Sequence, residues 1–200
     1  MSASSISSRV ARRRGDGAAP VDLRLIADPL AFLAEEHVRQ RRICAYLDAL
    51  SVPGGGDMRI AADALAHLVD EAPAHALDEE DDLFPLLRRR ALPEDNLEAT
   101  LTRLDGDHEH GRTLAEIAKP ILAAMAKDGC ASVGDRRRML TLLAGHERRH
   151  LIVENAIILP LAAARLTASD LRTLSLRMAA RRGRDLAVLE AGDEGLSAGA

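Results

Sequence analysis

One pattern occurs twice in this chain and limits its fold more than any other feature. The first copy is His75, then Glu79 four residues on, then Leu83, Phe84 and Pro85. The second is His150, Glu154, Ile158, Leu159 and Pro160. On a helix of 3.6 residues per turn, a His and a Glu four apart project from one face, one above the other. A neutral imidazole and a carboxylate so placed can hold one cation or two adjacent cations. A single His-x-x-x-Glu arises easily by chance. Two copies sharing an apolar-apolar-Pro ending point to one structural device used twice.

The surrounding sequence predicts helices throughout. Ala, Leu, Arg and Glu dominate, and aromatic residues make up only 2% of the chain. Two hundred residues, 47% hydrophobic and 29% charged, suit one domain with a core large enough to need no disulfide. Asp28 and Pro29 suit the cap and first position of a helix over about 29–51, whose stripe is Leu30, Leu33, His37, Cys44 and Leu47. A Gly-rich stretch ends it. A second helix covers about 58–90, with Pro73 predicting a kink or a break. Pro93, Glu94 and Asp95 read as the start of a third helix over about 94–127, on which Leu97, Leu101, Leu104, His108 and Leu114 form the stripe and Pro120 predicts a kink. A fourth covers about 135–165, and a short fifth, capped by Ser169 or Asp170, about 169–182.

The expected architecture is therefore all-α: an up-down-up-down four-helix bundle with a short additional C-terminal helix. Residues 1–20, rich in Ser, Arg and Gly, read as a disordered basic tail, and 184–200 as a frayed C-terminal tail. The acidic run Asp78–Asp82, Glu79 excepted, and the Arg-rich fifth helix read as solvated faces. Arg12, Arg13 and Arg14 could touch an acidic partner, though such a run is ordinarily solvated.

Each of the four long helices places a His on its inner stripe: His37, His75, His108 and His150. Two add a Glu. Burying four imidazoles and two carboxylates in a small bundle is costly without compensation, and a bound cation pair supplies it. Glu79 and Glu154 would bridge the two ions and the imidazoles would terminate them. Imidazole and carboxylate ligation without thiolate suits iron, and also manganese or zinc. Cys44 reads as a small buried apolar residue, Phe84 as core that also shields the site, and His110 as outward-facing.

These residues resemble the hemerythrin-like, or HHE cation-binding, domain family. The likeness is carried by Glu36-His37, by His75 to Pro85 with Glu79-Glu80, by Asp107-His108, and by His150 to Pro160 with Glu154-Asn155. It spans roughly residues 28–183. The resemblance implies a non-haem di-iron centre with His37, His75, Glu79, His108, His150 and Glu154 as metal ligands. It further implies a protein that binds O2 or related small oxidants such as peroxide or NO, with a role in oxygen or redox sensing or iron handling. The family's oxygen carriers have a second His four residues after the first on helix three; here that position is Arg112. His146, Glu36 or water would have to replace it.

Two other functions remain open: a di-iron enzyme with catalase-like or ferroxidase activity, and a metal-sensing or structural helical module. Scarce aromatics and a formal net charge of −4 argue against nucleic-acid partners. No run approaches eighteen uninterrupted apolar residues, so no membrane span is expected, and the start lacks a secretory h-region. Cys44 and Cys130 form no Cys-x-x-Cys motif or disulfide framework, which together predicts a cytoplasmic location.

Overall fold

The computed structural model describes residues 15–129 and 134–194. The Arg12–Arg14 run and Cys130 lie outside the described residues. Six helices account for most of the described chain, and no described residue is in a strand. α1 is Pro29–Ser51, α2 spans 58–90, α3 is Leu97–Asp128, α4 spans 135–165, α5 is Ala168–Arg181 and α6 is Leu186–Glu194.

Their ends follow local chemistry. Asp28 caps α1 by accepting from the Ala31 N–H, with Pro29 at the first position, where its missing N–H costs nothing. Asp57 caps α2 by accepting from Arg59 and Ile60 N–H. The third helix starts later than its sequence suggests. Pro93–Asp95 form a separate 3-10 turn, Asn96 takes a left-handed conformation (φ 47°), and α3 begins at Leu97. The cap of α5 is Thr167, in a reciprocal capping box with Asp170, rather than Ser169 or Asp170 itself.

Prolines shape the interior of α2 and α4, and not by breaking them. Pro73 follows a π-helical turn at His67–Glu71, Pro85 follows one at Asp78–Leu83, and Pro160 follows one at Glu154–Ile158. Proline cannot donate to the carbonyl four residues back, and its ring clashes with that carbonyl. A wider turn just before it relieves both problems and lets the helix continue. Pro120 sits inside α3 with no such turn.

α1 packs on α2 and α4, and α3 packs on α2 and α4, which closes a four-helix ring. Paired residues count in opposite directions across neighbours. Glu36 meets His75 while Arg39 meets Glu71; Asn155 meets His37 while Arg148 meets Asp48. Neighbouring helices are therefore antiparallel. The core falls into two apolar clusters. One contains Phe32, Leu33, Phe84, Leu101 and Ile158; the other contains Ile43, Leu47, Leu68, Leu122 and Leu143. Between them, on every long helix, lies a layer of buried polar residues.

Three solvated or frayed expectations are corrected by the fold. Asp78 and Asp82 are buried, and Arg177, Arg181 and Arg182 reach them from the C-terminal end of α5. The two charge runs are each other's partners. Residues 186–194 form α6 rather than a frayed tail, with Leu186 buried against the Leu23–Ala27 turn region. Residues 15–17 lie along α1: Arg39 and Arg42 donate to the Gly17 and Asp16 carbonyls, and the Gly15 N–H donates to Glu35. A Cβ on Gly17 (φ 71°) would sit 2.8 Å from the Val38 carbonyl, so this close approach requires glycine.

Candidate metal centre

The polar layer gathers all six candidate ligands named above. His37, His75, Glu79 and Glu154 offer donor atoms that lie within 4.8 Å of one another, and so do Glu79, His108, His150 and Glu154. The two groups share both carboxylates, and each adds two imidazoles. Glu79 and Glu154 are fully buried, and the four histidines are 8% exposed or less. The rings pack closely. His37 and His75 meet edge to face at 5.1 Å, and His108 and His150 lie 4.5 Å apart. Gly111 permits that approach of α3 to α4, since a Cβ there would come within 3.0 Å of Glu147 and 3.3 Å of His146.

The donor atoms fit cations. His37, His75 and His108 Nε2 and all four carboxylate oxygens of Glu79 and Glu154 are buried without a hydrogen-bonding partner. They are nevertheless close: His108 Nε2 is 3.2 Å from Glu79 Oε2, and His150 Nε2 is 2.6 Å from Glu154 Oε1. Such a cluster of inward-aimed, unpaired atoms is what a bound ion satisfies and what a hydrogen-bonded core avoids. Without a cation, charge pairing substitutes. Burial favours a neutral His75, but Glu79 and Glu36 more than offset it and push the ring up to about 10. His108 is pushed up to about 12 against burial by Glu154, Glu79 and Glu80, and His150 is raised by Glu154 in the same way. Burial and mutual repulsion work against the charge on Glu79, yet His75, His108 and His37 hold it below the usual carboxylate range.

A second set of side chains orients the imidazoles, and it follows a cyclic order. Glu36 on α1 accepts from His75 Nδ1 on α2 at 2.9 Å. Glu80 on α2 lies 2.8 Å from His108 Nδ1 on α3. Asp107 on α3 is the nearest carboxylate to His150 Nδ1 on α4, but at 3.9 Å it makes no hydrogen bond, and that nitrogen is buried without a partner. Asn155 on α4 completes the ring 2.9 Å from His37 Nδ1 on α1. A carboxylate at Nδ1 keeps the proton there and turns the Nε2 lone pair toward the metal position. Each partner adjoins a donor in sequence: Glu36-His37, Glu79-Glu80, Asp107-His108, Glu154-Asn155. The adjacency was visible in the sequence; that each partner serves a different helix was not.

A match to a family model described as the hemerythrin HHE cation binding domain covers residues 28–162. The chain belongs to this family. The matched span holds all four long helices except the last residues of α4, and it ends before α5. No curated protein matches the chain. Cation binding is in that family's description, and the buried His and Glu groups of this chain have the donor atoms to hold a metal.

Among the described residues, Arg112 and its proposed substitutes add no member to either donor group. Arg112 is exposed and donates at 2.6 Å to Glu80 Oε1, the oxygen that lies 2.8 Å from His108 Nδ1. His146, one proposed substitute, has its Nε2 2.8 Å from the Asp107 carbonyl and its ring edge to face with exposed His110. Glu36, the other, is held between His75 and Arg182. Neither belongs to a donor group. Cys44 is buried and its thiol pushed up to about 12, chiefly by burial, so it behaves as an apolar residue. Phe84 is fully buried and its ring lies parallel to His108 at 6.0 Å, which dries that side of the layer. Among the described residues, no helix is long and apolar enough to cross a membrane.

Proposed function

We propose that the polar layer holds two iron ions and that the protein binds O2 or a related small oxidant, peroxide or NO, in oxygen or redox sensing or iron handling. The observation that supports this most directly is the pair of donor groups sharing Glu79 and Glu154. One carboxylate pair common to two separate pairs of imidazoles suits two adjacent divalent ions. Mixed N/O donors without thiolate suit iron ahead of softer metals, with manganese or zinc as competitors. Iron held by these six residues would supply redox chemistry at the layer. The chain's own residues do the rest. Glu36 and Glu80 hold two of the imidazoles, Phe84 and the apolar cluster around it exclude water on their side, and arginines at the end of α5 pair with Asp78 and Asp82 beside the site.

The experiment is elemental analysis of protein purified without added metal, with its visible spectrum in air. About two irons per chain with oxo-to-iron charge-transfer bands is the expected result. Zinc alone, or no metal after anaerobic Fe(II) reconstitution, would overturn the reading.

A second reading, a di-iron enzyme with catalase-like or ferroxidase activity, is favoured by the two imidazoles per donor group. Ions held by so few side chains would keep room for a substrate, which is what metal catalysis needs. Peroxide and Fe(II) turnover by the loaded protein, compared with free iron, separates this reading from a binding role. Turnover no faster than free iron removes it. The cytoplasm remains the proposed location.

A further inference from the structure

We infer that Arg182, the residue that ends α5, is a positioning residue for the metal layer: it holds the Glu36 carboxylate, and Glu36 sets the direction of the His75 ring. α5 supplies no member of either donor group, yet through Arg182 it becomes part of the site. The inference rests on the proposed metal centre for its consequence and not for the contacts themselves. Those contacts form one chain across three helices. Arg182 Nη2 donates to Glu36 Oε1 on α1 at 3.0 Å, and Glu36 Oε2 accepts from His75 Nδ1 on α2 at 2.9 Å. His75 Nε2 then faces Glu79 Oε2 at 3.6 Å, inside the first donor group. The Arg182, Glu36 and His75 side chains are 11%, 11% and 4% exposed, so water competes little for these contacts.

Each oxygen of Glu36 thus has its own partner. The last torsion of a glutamate is soft, so a carboxylate held only by His75 is free to swing and take the ring with it, whereas one gripped at both oxygens is not. Glu80, by contrast, meets Arg112 and His108 with the single oxygen Oε1. Arg182 is itself fixed. Its Nη1 lies 2.7 Å from Asp78 Oδ2 and donates to the Met178 carbonyl at 3.2 Å, and its guanidinium lies 4.8 Å from the centre of the Phe32 ring. Leu174 and Met178 anchor α5 in the apolar cluster of Phe32 and Leu33. The seat of α5 on the bundle is thereby passed on to His75. A planar fork of donors is needed to reach Glu36 and Asp78 together, and a lysine ammonium does not offer one. Charge and position predict opposite signs. As a charge, Arg182 repels a cation in the layer, so its loss would tighten metal binding. As a positioning group, its loss loosens that binding.

The test compares Arg182→Met and Arg182→Lys with Arg181→Met in the full chain. Arg181 pairs with the same Asp78 and with Asp82 instead of Glu36, so its variant reports what loosening α5 does by itself. Anaerobic Co(II) binding, measured by competition with a chromophoric chelator, is expected to weaken about tenfold at one of two sites in both Arg182 variants. That is the lower end of the range for losing an orienting partner, because Glu36 remains. Arg181→Met should stay within about twofold of the unaltered chain, and Arg182→Met added to Glu36→Ala should cost less than about twofold more, since the link is already cut. In metal-stripped protein, the NMR signal of the His75 Nδ1 proton, assigned by its absence from His75→Gln, should be protected from exchange in the unaltered chain and in Arg181→Met and lost in the Arg182 variants. Equal affinities in the Arg182 and Arg181 variants, tighter binding in either Arg182 variant, a full further loss in the double variant, or a His75 Nδ1 proton that exchanges freely in the unaltered chain would overturn the role; the last needs no variant to fold. No Co(II) or Fe(II) uptake by the unaltered chain would sink the metal reading, and the proton alone would then decide whether Arg182 sets His75.

Discussion

Asn155 Nδ2 lies 2.9 Å from His37 Nδ1, and Asn155 is the one neutral member of the ring of partners that orients the four imidazoles. Its amide nitrogen also donates to the Leu151 carbonyl, at 2.6 Å, which sets which end of the amide faces the ring. An amide nitrogen donates and cannot accept, so His37 Nδ1 is the acceptor and the ring proton sits on Nε2, facing Glu154 Oε2 at 3.4 Å. Ligation through Nε2 requires that proton to leave and the amide to turn its oxygen to Nδ1. His37 thus differs from His75 and His108 in having an amide rather than a carboxylate beside its Nδ1.

It follows that Asn155→Asp, which puts an acceptor at Nδ1, should tighten binding of a cation at the donor group that contains His37 and His75. Asn155→Ala loosens it by about 10–100-fold, the usual effect of removing an orienting partner. Competition with a chromophoric chelator measures both. Equal affinities in the two variants would show that Asn155 does not set the state of His37.

Sharing of the carboxylates predicts unequal losses. Glu154→Ala removes a donor from both groups and should abolish binding of both ions, whereas His150→Ala weakens one group and should leave about half the metal. Elemental analysis against protein concentration decides. Full occupancy in the Glu154 variant would end the bridging assignment.

Away from the metal layer, Arg39 is 1% exposed and bridges Asp63 and Glu71 across α1 and α2. Burial alone disfavours its charge, but the hydrogen bonds it donates to Asp63 and Glu71 hold it fully protonated. Arg39→Ala leaves half-buried Asp63 without its arginine and Glu71 with His67 alone. It should cost about 3 kcal/mol, the lower end of the range for a broken buried pair because those carboxylates keep some contact with water. Urea unfolding measures it, and a loss below about 1 kcal/mol would refute the role.

The same network carries an acid sensitivity. Burial pushes the Glu71 carboxyl up, yet His67 and Arg39 outweigh it and hold it at about 2, below its ordinary 4.5. A lowered folded value means the stabilisation is fully present above about pH 4.5 and is lost as pH falls toward about 2. Stability of the unaltered chain should therefore decline more steeply over that window than stability of Glu71→Gln. Parallel curves would contradict the shift.

At the C-terminal helix, Arg181 meets both Asp78 and Asp82, which are 0% and 3% exposed. Arg181→Met leaves Asp78 with Arg182 alone and Asp82 with Arg177 alone and should cost about 1.5–3 kcal/mol, while Arg172→Met, whose partner Glu190 is on the surface, should cost less than about 1 kcal/mol. Thermal or urea unfolding of the pair gives the comparison, and equal losses would show that α5 does not clamp the acidic run.

Much of this architecture was legible in the chain. The stripes that bury Leu33, His37, Cys44 and Leu47, or Leu101, Leu104 and His108, follow from helical periodicity alone, and so does the outward position of His110. The solvated reading of Asp78 and Asp82 failed because their partners lie about 100 residues away on α5, and local charge patterning carries no record of a contact so distant. The start of α3 was misplaced because the Pro93 turn obeys the same proline preference as a true helix start, and only the left-handed Asn96 separates them.

The sequence by itself determined that the chain is helical, that one His per long helix and two Glu residues face inward, and that each Glu is followed by a proline. Those are properties of spacing, and spacing along a helix fixes direction. What only the tertiary structure decided is how the prolines are absorbed and which side chain serves which imidazole. The π turns before Pro73, Pro85 and Pro160 are chosen because packing on both sides of α2 and α4 makes a widened turn cheaper than a break. The ring of Glu36, Glu80, Asp107 and Asn155 exists only when four antiparallel helices bring each residue to the next helix's His. Distances between helices are set by packing, not by any one segment's sequence.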